Sequence, residues 1–304
     1  MQSVYSLHKD PEQGLKELNK KFQGQLLAPY QLYYVMLALL VAIHKRAKEQ
    51  FEIKKKQEHR QKSALEGNPA FIQNRLLVFL SNHVALNEVI VKKRLRYWEH
   101  HFDYVDQVLK KIETSSVFAR HMENEQPDWE SDCAMINALY REVIAPYDPI
   151  VDFIEDQNLS WADDYSLVNT FILKQFKKLN PEQPSSLQFP SSVEQQDEKK
   201  FGKALLEKAI SQREVLEEEI QGKTPNWDSD RIAQLDLVLL QLGIAELLFF
   251  ETIPPKVTLN EYLEIAKDYS TPKSNVFING VLDKLVKDYV DNNRLKKSGR
   301  GLKE

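Results

Sequence analysis

The side chains able to do chemistry are scattered. The seven histidines are His8, His44, His59, His83, His100, His101 and His121. None falls into a metal-ligating spacing such as H-E-x-x-H, and Glu99-His100-His101 is the nearest approach. Cys133 is the only cysteine, so a disulfide framework or a cysteine-rich metal knuckle within one chain is excluded. It carries no local nucleophile signature and reads as a buried structural thiol. Asp163-Asp164 and Glu217-Glu218-Glu219 resemble acid–base pairs only on paper: they sit on polar helix faces and read as solvent-facing charge. Nine glycines in 304 residues leave no Gly-rich phosphate loop. No catalytic residue and no metal site is expected from these side chains.

What remains is charge interleaved with aromatic rings. Lys92-Lys93-Arg94-Leu95-Arg96-Tyr97-Trp98 has the cation–aromatic mixture of single-strand binders, although a surface helix with two rings packed inward has the same pattern. His44–Lys62 holds eight cations against three acids, a net +5. It reads as the solvated face of a long helix, with a nucleic-acid contact as the alternative. Arg294–Lys303 has five cations and no acid, and is expected to be a disordered tail, with non-specific RNA affinity as the alternative to plain solvated charge. The whole chain carries −4, so any nucleic-acid contact needs a local patch.

The elements that must position these groups read as helical almost throughout. Asp10-Pro11-Glu12 is expected to start a helix, and Pro29 to open a long one reaching about Lys62. Its apolar part, Leu32–Ile43, is too short to span a bilayer and reads as a buried helix. The N-terminus lacks the basic start and apolar run of a signal peptide, so the expected compartment is the cytoplasm. Further helices are expected over Pro69–Leu80, Ser131–Ile144, Pro149–Glu155 and Tyr165–Leu179. The clearest linker is Asn180–Gln196, rich in Pro, Ser and Gln, and a boundary is placed there.

The last hundred residues are the most patterned. Asp228-Ser229-Asp230 is expected to cap a helix through about Phe250 that is apolar on nearly all sides, the mark of a central, buried helix. Thr258-Leu259-Asn260-Glu261 has the form of a capping box. A third helix begins near Ser274, with Phe277, Val281, Leu285, Ile278, Leu282 and Tyr289 as its apolar positions. Gly280 lies inside it, at a cost of about 1 kcal/mol relative to alanine, and a close approach by another helix would explain it.

These residues carry a family signature. Ile253-Pro254-Pro255-Lys256-Val257, Asn260-Glu261, Ala266-Lys267 and Phe277-Ile278-Asn279-Gly280-Val281-Leu282-Asp283-Lys284 resemble, in order and spacing, the C-terminal half of the NusB family of transcription antitermination factors. The resemblance covers Asp197–Tyr289, and Gln2-Ser3-Val4-Tyr5 looks like the family's "Q-x-L-Y". The segment from about Lys45 to Gln196 has no counterpart and reads as a large helical insertion. The expected layout is therefore residues 1–196 as an N-terminal region expanded by that insertion, 197–290 as a NusB-like bundle, and 291–304 as the tail.

The resemblance implies an all-α fold of NusB-like helical bundles with an expanded N-terminal half. It implies a factor that binds boxA-type RNA together with the ribosomal protein NusE, docks on the RNA polymerase elongation complex and promotes antitermination, notably of ribosomal RNA operons. It implies a protein that is not an enzyme and needs no cofactor; from the apolar pattern above, no membrane contact is expected. By the same resemblance Phe277 and Tyr5 border the RNA, where an aromatic face stacks on a splayed base, although Phe277 is equally readable as a core residue. Gln2, Lys273, Asn275 and Asn279 complete the expected surface. The family's "E-D-S-x-K-F" loop departs here: its acid and its lysine are replaced by Lys273 and Val276. Its arginine-rich N-terminal stretch has no counterpart before Gln2, and the coding sequence is expected to start further upstream. These departures favour an alternative, a NusB-fold module that binds a ribosomal or polymerase partner without reading RNA.

Overall fold

The computed structural model describes residues 1–10, 14–57, 69–122, 126–189, 192–223 and 232–302. Among them there are α-helices and short 3-10 and π segments but no strand, only an isolated bridge between Asn180 and Gln183. The chain divides into two compact units: Met1–Gly24 with Ser191–Glu304, and Gln25–Pro190. The second unit is thus inserted into the first and begins at residue 25. The division falls inside a helix, where the charged stretch 15–24 gives way to the uncharged, apolar run 25–43.

The first unit opens with α1 (Gln2–Lys9) and the first turns of α2 (Leu15–Gln57). Pro29, expected to start this helix, lies inside it. Residues 58–62 of the basic stretch, Pro11 and Glu12 of the expected first cap, and the expected cap Asp228-Ser229-Asp230 lie outside the described residues. The stretch 16–53 of α2 is long and apolar enough to cross a bilayer by length and composition alone. Its apolar residues are nevertheless core: Leu32, Val35, Met36, Leu37, Leu39 and Ile43 are fully buried in the second unit.

That unit continues as α3 (Pro69–Ile72), α4 (Arg75–Asn82), α5 (Val84–Lys92), α6 (Tyr97–His100), α7 (Phe102–Glu113), α8 (Ser116–Met122), α9 (Trp129–Leu139), α10 (Asp148–Gln157) and α11 (Ser160–Phe176). Polar groups fix α2 to these helices. The indole N–H of Trp98 donates to the Val35 carbonyl at 2.8 Å, and that of Trp161 to the Ala28 carbonyl at 2.9 Å. His44 is buried. It contacts the Ile72 carbonyl through Nε2 and Ser81 Oγ through Nδ1, both at 2.7 Å. Burial pushes its pKa down, so it is a neutral structural imidazole. The caps are local and legible: Asn74 accepts from the amides of Leu76 and Leu77, and Asp128 and Ser131 form a capping box. The helix read over Ser131–Ile144 is α9 followed by one π-helical turn, Tyr140–Ile144. Cys133 is half-buried and burial pushes its thiol up to about 12, which makes it inert.

The chain returns to the first unit as α12 (Ser192–Ser211), α13 (Arg213–Lys223), α14 (Gln234–Phe249), α15 (Pro255–Tyr269) and α16 (Ser274–Asp291). The central helix is α14. Residues 238–240 and 242–245 are buried on all sides of it, and α12, α13, α15 and α16 pack against it. Thr258 is not a cap. Pro255 opens α15 with Pro254 at the N-cap, because a proline at the first turn loses no helical bond, so Thr258 falls inside the helix. Gly280 is exposed, with nothing within 4 Å of where a Cβ would stand. In the central helix a close approach does occur, at Gly243, where a Cβ would lie 3.3 Å from both Leu282 methyls and 3.4 Å from Tyr262 Cδ2. Residues 291–302, expected to be disordered, fold along the end of α14. Arg294 donates to Glu219 at 2.6 Å, the Lys297 ammonium to the Phe250 carbonyl at 2.9 Å, and the Ser298 amide to the Glu251 carbonyl at 2.9 Å. Two of the tail's cations, Arg294 and Lys297, thus find acceptors, the last carbonyl of a helix among them.

Candidate nucleic-acid interface

The first turns of α16 carry four of the six expected site residues. The helix buries Ser274, Ile278, Val281, Leu282, Leu285 and Tyr289. The period of 3.6 residues therefore turns Lys273, Val276 and Asn279 outward, with Asn275 and Phe277 half-buried. Phe277 packs its inner side on the bundle core, so it is partly core and partly available for stacking. Lys273 has no ion-pair partner among the described residues and stands at the N-cap, where the helix dipole is positive. Asn275 Oδ1 accepts from the Val276 amide at 2.8 Å.

A buried carboxylate holds this turn in place. Asp236, in the first turn of α14, accepts from Ser270 Oγ at 2.6 Å through one oxygen and from Ser274 Oγ at 2.8 Å through the other. The Thr271 amide donates to Ser274 Oγ at 3.2 Å. Lys273 and the residues after it therefore project from a loop pinned to the central helix.

Gln2 and Tyr5 lie on a different helix, α1, which packs on α12 and α14, whereas α16 packs on α13, α14 and α15. The neighbour the two groups share is α14. Gln2 is exposed and Tyr5 half-buried, with the Lys9 ammonium 5.6 Å from the Tyr5 ring centroid. Lys9 follows Tyr5 by four residues and extends the same stripe. It was not among the expected residues, and that spacing is the signal that would have found it.

Sequence reasoning also passed over three polar residues inside the apolar run of α14. Asp236, Gln241 and Glu246 are 5%, 2% and 6% exposed, and buried polar groups require partners. Each one ties α14 to a different element. Gln241 faces His8 Nε2 at 2.9 Å and donates to Glu217 at 3.3 Å, linking α1 to α13. Glu246 accepts from Thr258 Oγ1 at 2.7 Å and from the Tyr262 hydroxyl at 3.2 Å. Burial raises its pKa, and the two hydroxyl donors oppose that shift. These ties are structural, and no group of metal-ligating side chains exists among the described residues.

Fold and surface define an all-helical bundle built round a buried central helix, with an outward-facing cation, amides and half-exposed ring at one helix start. The NusB family model matches residues 172–287. Three relatives, each called transcription antitermination protein NusB, align with the C-terminal region. The protein of Salinibacter ruber is 45% identical over 102 residues, which is 34% of this chain and 64% of the relative. That of Methylacidiphilum infernorum is 44% identical over 98 residues, 32% of this chain and 68% of the relative. That of Chloroherpeton thalassium is 40% identical over 98 residues, 32% of this chain and 46% of the relative. The chain belongs to the NusB family. It spans 64% of the length of the Salinibacter relative, and the matched regions make up about a third of the chain itself. No solved structure matches it.

Proposed function

We propose that this protein is an RNA-binding transcription antitermination factor. It recognises boxA-type RNA together with the ribosomal protein NusE and acts on the RNA polymerase elongation complex, ribosomal RNA operons being the natural targets. Catalysis, cofactor and membrane contact have no part in this reading, and its compartment is the cytoplasm. The observation that carries it is the pinned first turn of α16, inside the family-matched region, which presents Lys273, Asn275, Phe277 and Asn279 together. Gln2 and Tyr5 on α1 supply the second strip of the surface. A lysine at a helix N-terminus suits a phosphate, and a half-exposed phenylalanine suits a base face.

Titrating labelled boxA-like RNA into the protein, with and without NusE, tests the proposal. Sequence-dependent binding that weakens in Phe277→Ala and Lys273→Glu is expected. Absence of sequence-dependent binding in both conditions refutes it. The second reading, a partner-binding module that does not read RNA, is favoured by Lys273 and Val276 in place of the family's acid and lysine. It predicts NusE capture that is indifferent to RNA, Phe277→Ala and Tyr5→Ala.

A further inference from the structure

The two basic segments His44–Lys62 and Lys92–Trp98 are far apart in sequence. In the inserted unit they meet: Lys45 and Arg46 from α2, and Leu95, Arg96 and Trp98 from the second segment, line one open groove of about 580 Å³. We propose that this groove binds single-stranded RNA, as a second contact separate from the surface on α16 and α1. The proposal rests on the RNA-binding reading and extends it to the part of the chain outside the NusB match.

Charge comes first. Arg46 is committed to Asp106, at 2.6 and 2.8 Å, and lies 5.8 Å from the centroid of Phe102. Arg96 and Glu99 are 3.6 Å apart and about half exposed, a pair weak enough for a phosphate to displace. Lys45 is exposed and has no ion-pair partner among the described residues.

Backbone strain adds a third available cation. Helix α5 ends in a left-handed turn: the Arg94 amide donates to the Val91 carbonyl at 3.1 Å and the Leu95 amide to the Ile90 carbonyl at 2.9 Å. The residue in the left-handed position is Arg94, with φ 57°. Glycine takes that position without cost. An exposed arginine there, in the turn that forms one wall of the groove, is the kind of strain that accompanies a function.

The remaining groups favour RNA over an acidic peptide. Phe102 is 58% exposed and backed by the Arg46 guanidinium, which gives a platform for stacking a base of any identity. Glu49 and Glu99 also line the groove. Their carboxylates would repel a run of acidic side chains, but can accept from the amino groups of bases.

The test uses the full chain and a labelled 20-nucleotide single-stranded RNA of mixed sequence, followed by anisotropy over a salt series. The triple variant Lys45→Gln, Arg94→Gly, Phe102→Ala changes only exposed residues, and circular dichroism checks that it folds. It is expected to bind about tenfold more weakly near 0.1 M salt, with a log–log salt slope shallower by about 1.4 for two lost phosphate contacts. Ultraviolet crosslinking of the wild type is expected to label Phe102. Unchanged affinity and slope in a folded triple variant, while Phe277→Ala still weakens binding, overturns the groove and leaves the proposed function standing. A wild type that binds neither this RNA nor boxA-like RNA with NusE removes both, and one that binds only the latter overturns the groove alone. Polyglutamate that displaces the RNA through the same residues overturns the assignment in favour of an acidic protein partner.

Discussion

Replacing Asp236 by alanine tests the clamp that presents the α16 surface. The side chain is 5% exposed and accepts two hydroxyl hydrogen bonds, from Ser270 and Ser274. Hydrogen bonds to a charged group contribute about 1.5–3 kcal/mol each, so the gross loss is about 3–6 kcal/mol. Two effects reduce it. Ser270 Oγ already lies 3.0 Å from Ser274 Oγ, so one hydroxyl keeps a partner. The variant also avoids the cost of burying a carboxylate. The expected net destabilisation is about 2 kcal/mol, and about 1 kcal/mol for Asp236→Asn, which keeps one acceptor oxygen. Urea unfolding followed by far-ultraviolet circular dichroism measures both. Hydrogen exchange should show the Thr271 amide losing protection, since its acceptor Ser274 Oγ loses its anchor. RNA affinity through Lys273 and Phe277 should fall with it. A stability change below about 0.5 kcal/mol in Asp236→Ala, the size of an ordinary surface substitution, would show that the carboxylate does not hold the turn.

Three further outcomes follow from particular contacts. Burial raises the pKa of Glu246 above its ordinary value of 4.5, so the folded state favours the protonated form. Its contribution to stability is therefore greatest below pH 4.5 and declines as pH rises through the raised folded pKa, and Glu246→Gln should flatten that decline. Urea midpoints at pH 5 and pH 7.5 check this, and an unaltered slope between them argues against it. Gly280→Ala should stabilise by about 0.5–1 kcal/mol because its Cβ enters open space. Gly243→Ala should cost about 1 kcal/mol because its Cβ presses on Leu282 and Tyr262; equal shifts in thermal melting for the two would contradict the packing described. Arg94→Gly should stabilise by roughly 0.5–1 kcal/mol, the relief of a left-handed non-glycine residue less the entropy glycine regains on unfolding. Denaturant titration decides it, and a loss of stability would mean that the arginine side chain holds the turn.

Much of the C-terminal bundle was legible because its signals are local and repeated. The all-round apolar run from Ile232 to Leu248 correctly marked the central helix, and the apolar positions of α16 correctly marked its buried face. Other features were lost to competing signals. The Thr258–Glu261 pattern fits a capping box, but Pro255 three residues earlier starts the helix first. Pro29 looked like a helix start, yet α2 begins at Leu15 and carries the proline within it. Gly280 drew attention because a glycine inside a helix is costly, whereas Gly243, which packs against Leu282 and Tyr262, was hidden in an apolar run. The far boundary of the inserted unit coincides with a Pro- and Ser-rich linker, whereas the near one, between Gly24 and Gln25, lies inside a continuous helix and is marked only by the loss of charge after Lys21. The candidate surface was legible only through the family motif. Asp236 and Lys9, which hold and extend it, act through contacts that no motif records.

The tryptophans give the inserted unit a spectroscopic label of its own. Trp98, Trp129 and Trp161 all belong to it, and their indole N–H groups are donated to the carbonyls of Val35, Leu179 and Ala28. Trp227, the fourth, belongs to the other unit by sequence and lies outside the described residues. Intrinsic emission therefore weights the inserted unit, whereas far-ultraviolet circular dichroism weights helices everywhere. Unfolding curves that differ between the two probes would reveal two separate transitions. Trp98 also lines the groove that we assign to RNA. A change in native emission on adding RNA that disappears in Trp98→Phe would therefore report that groove without any added label.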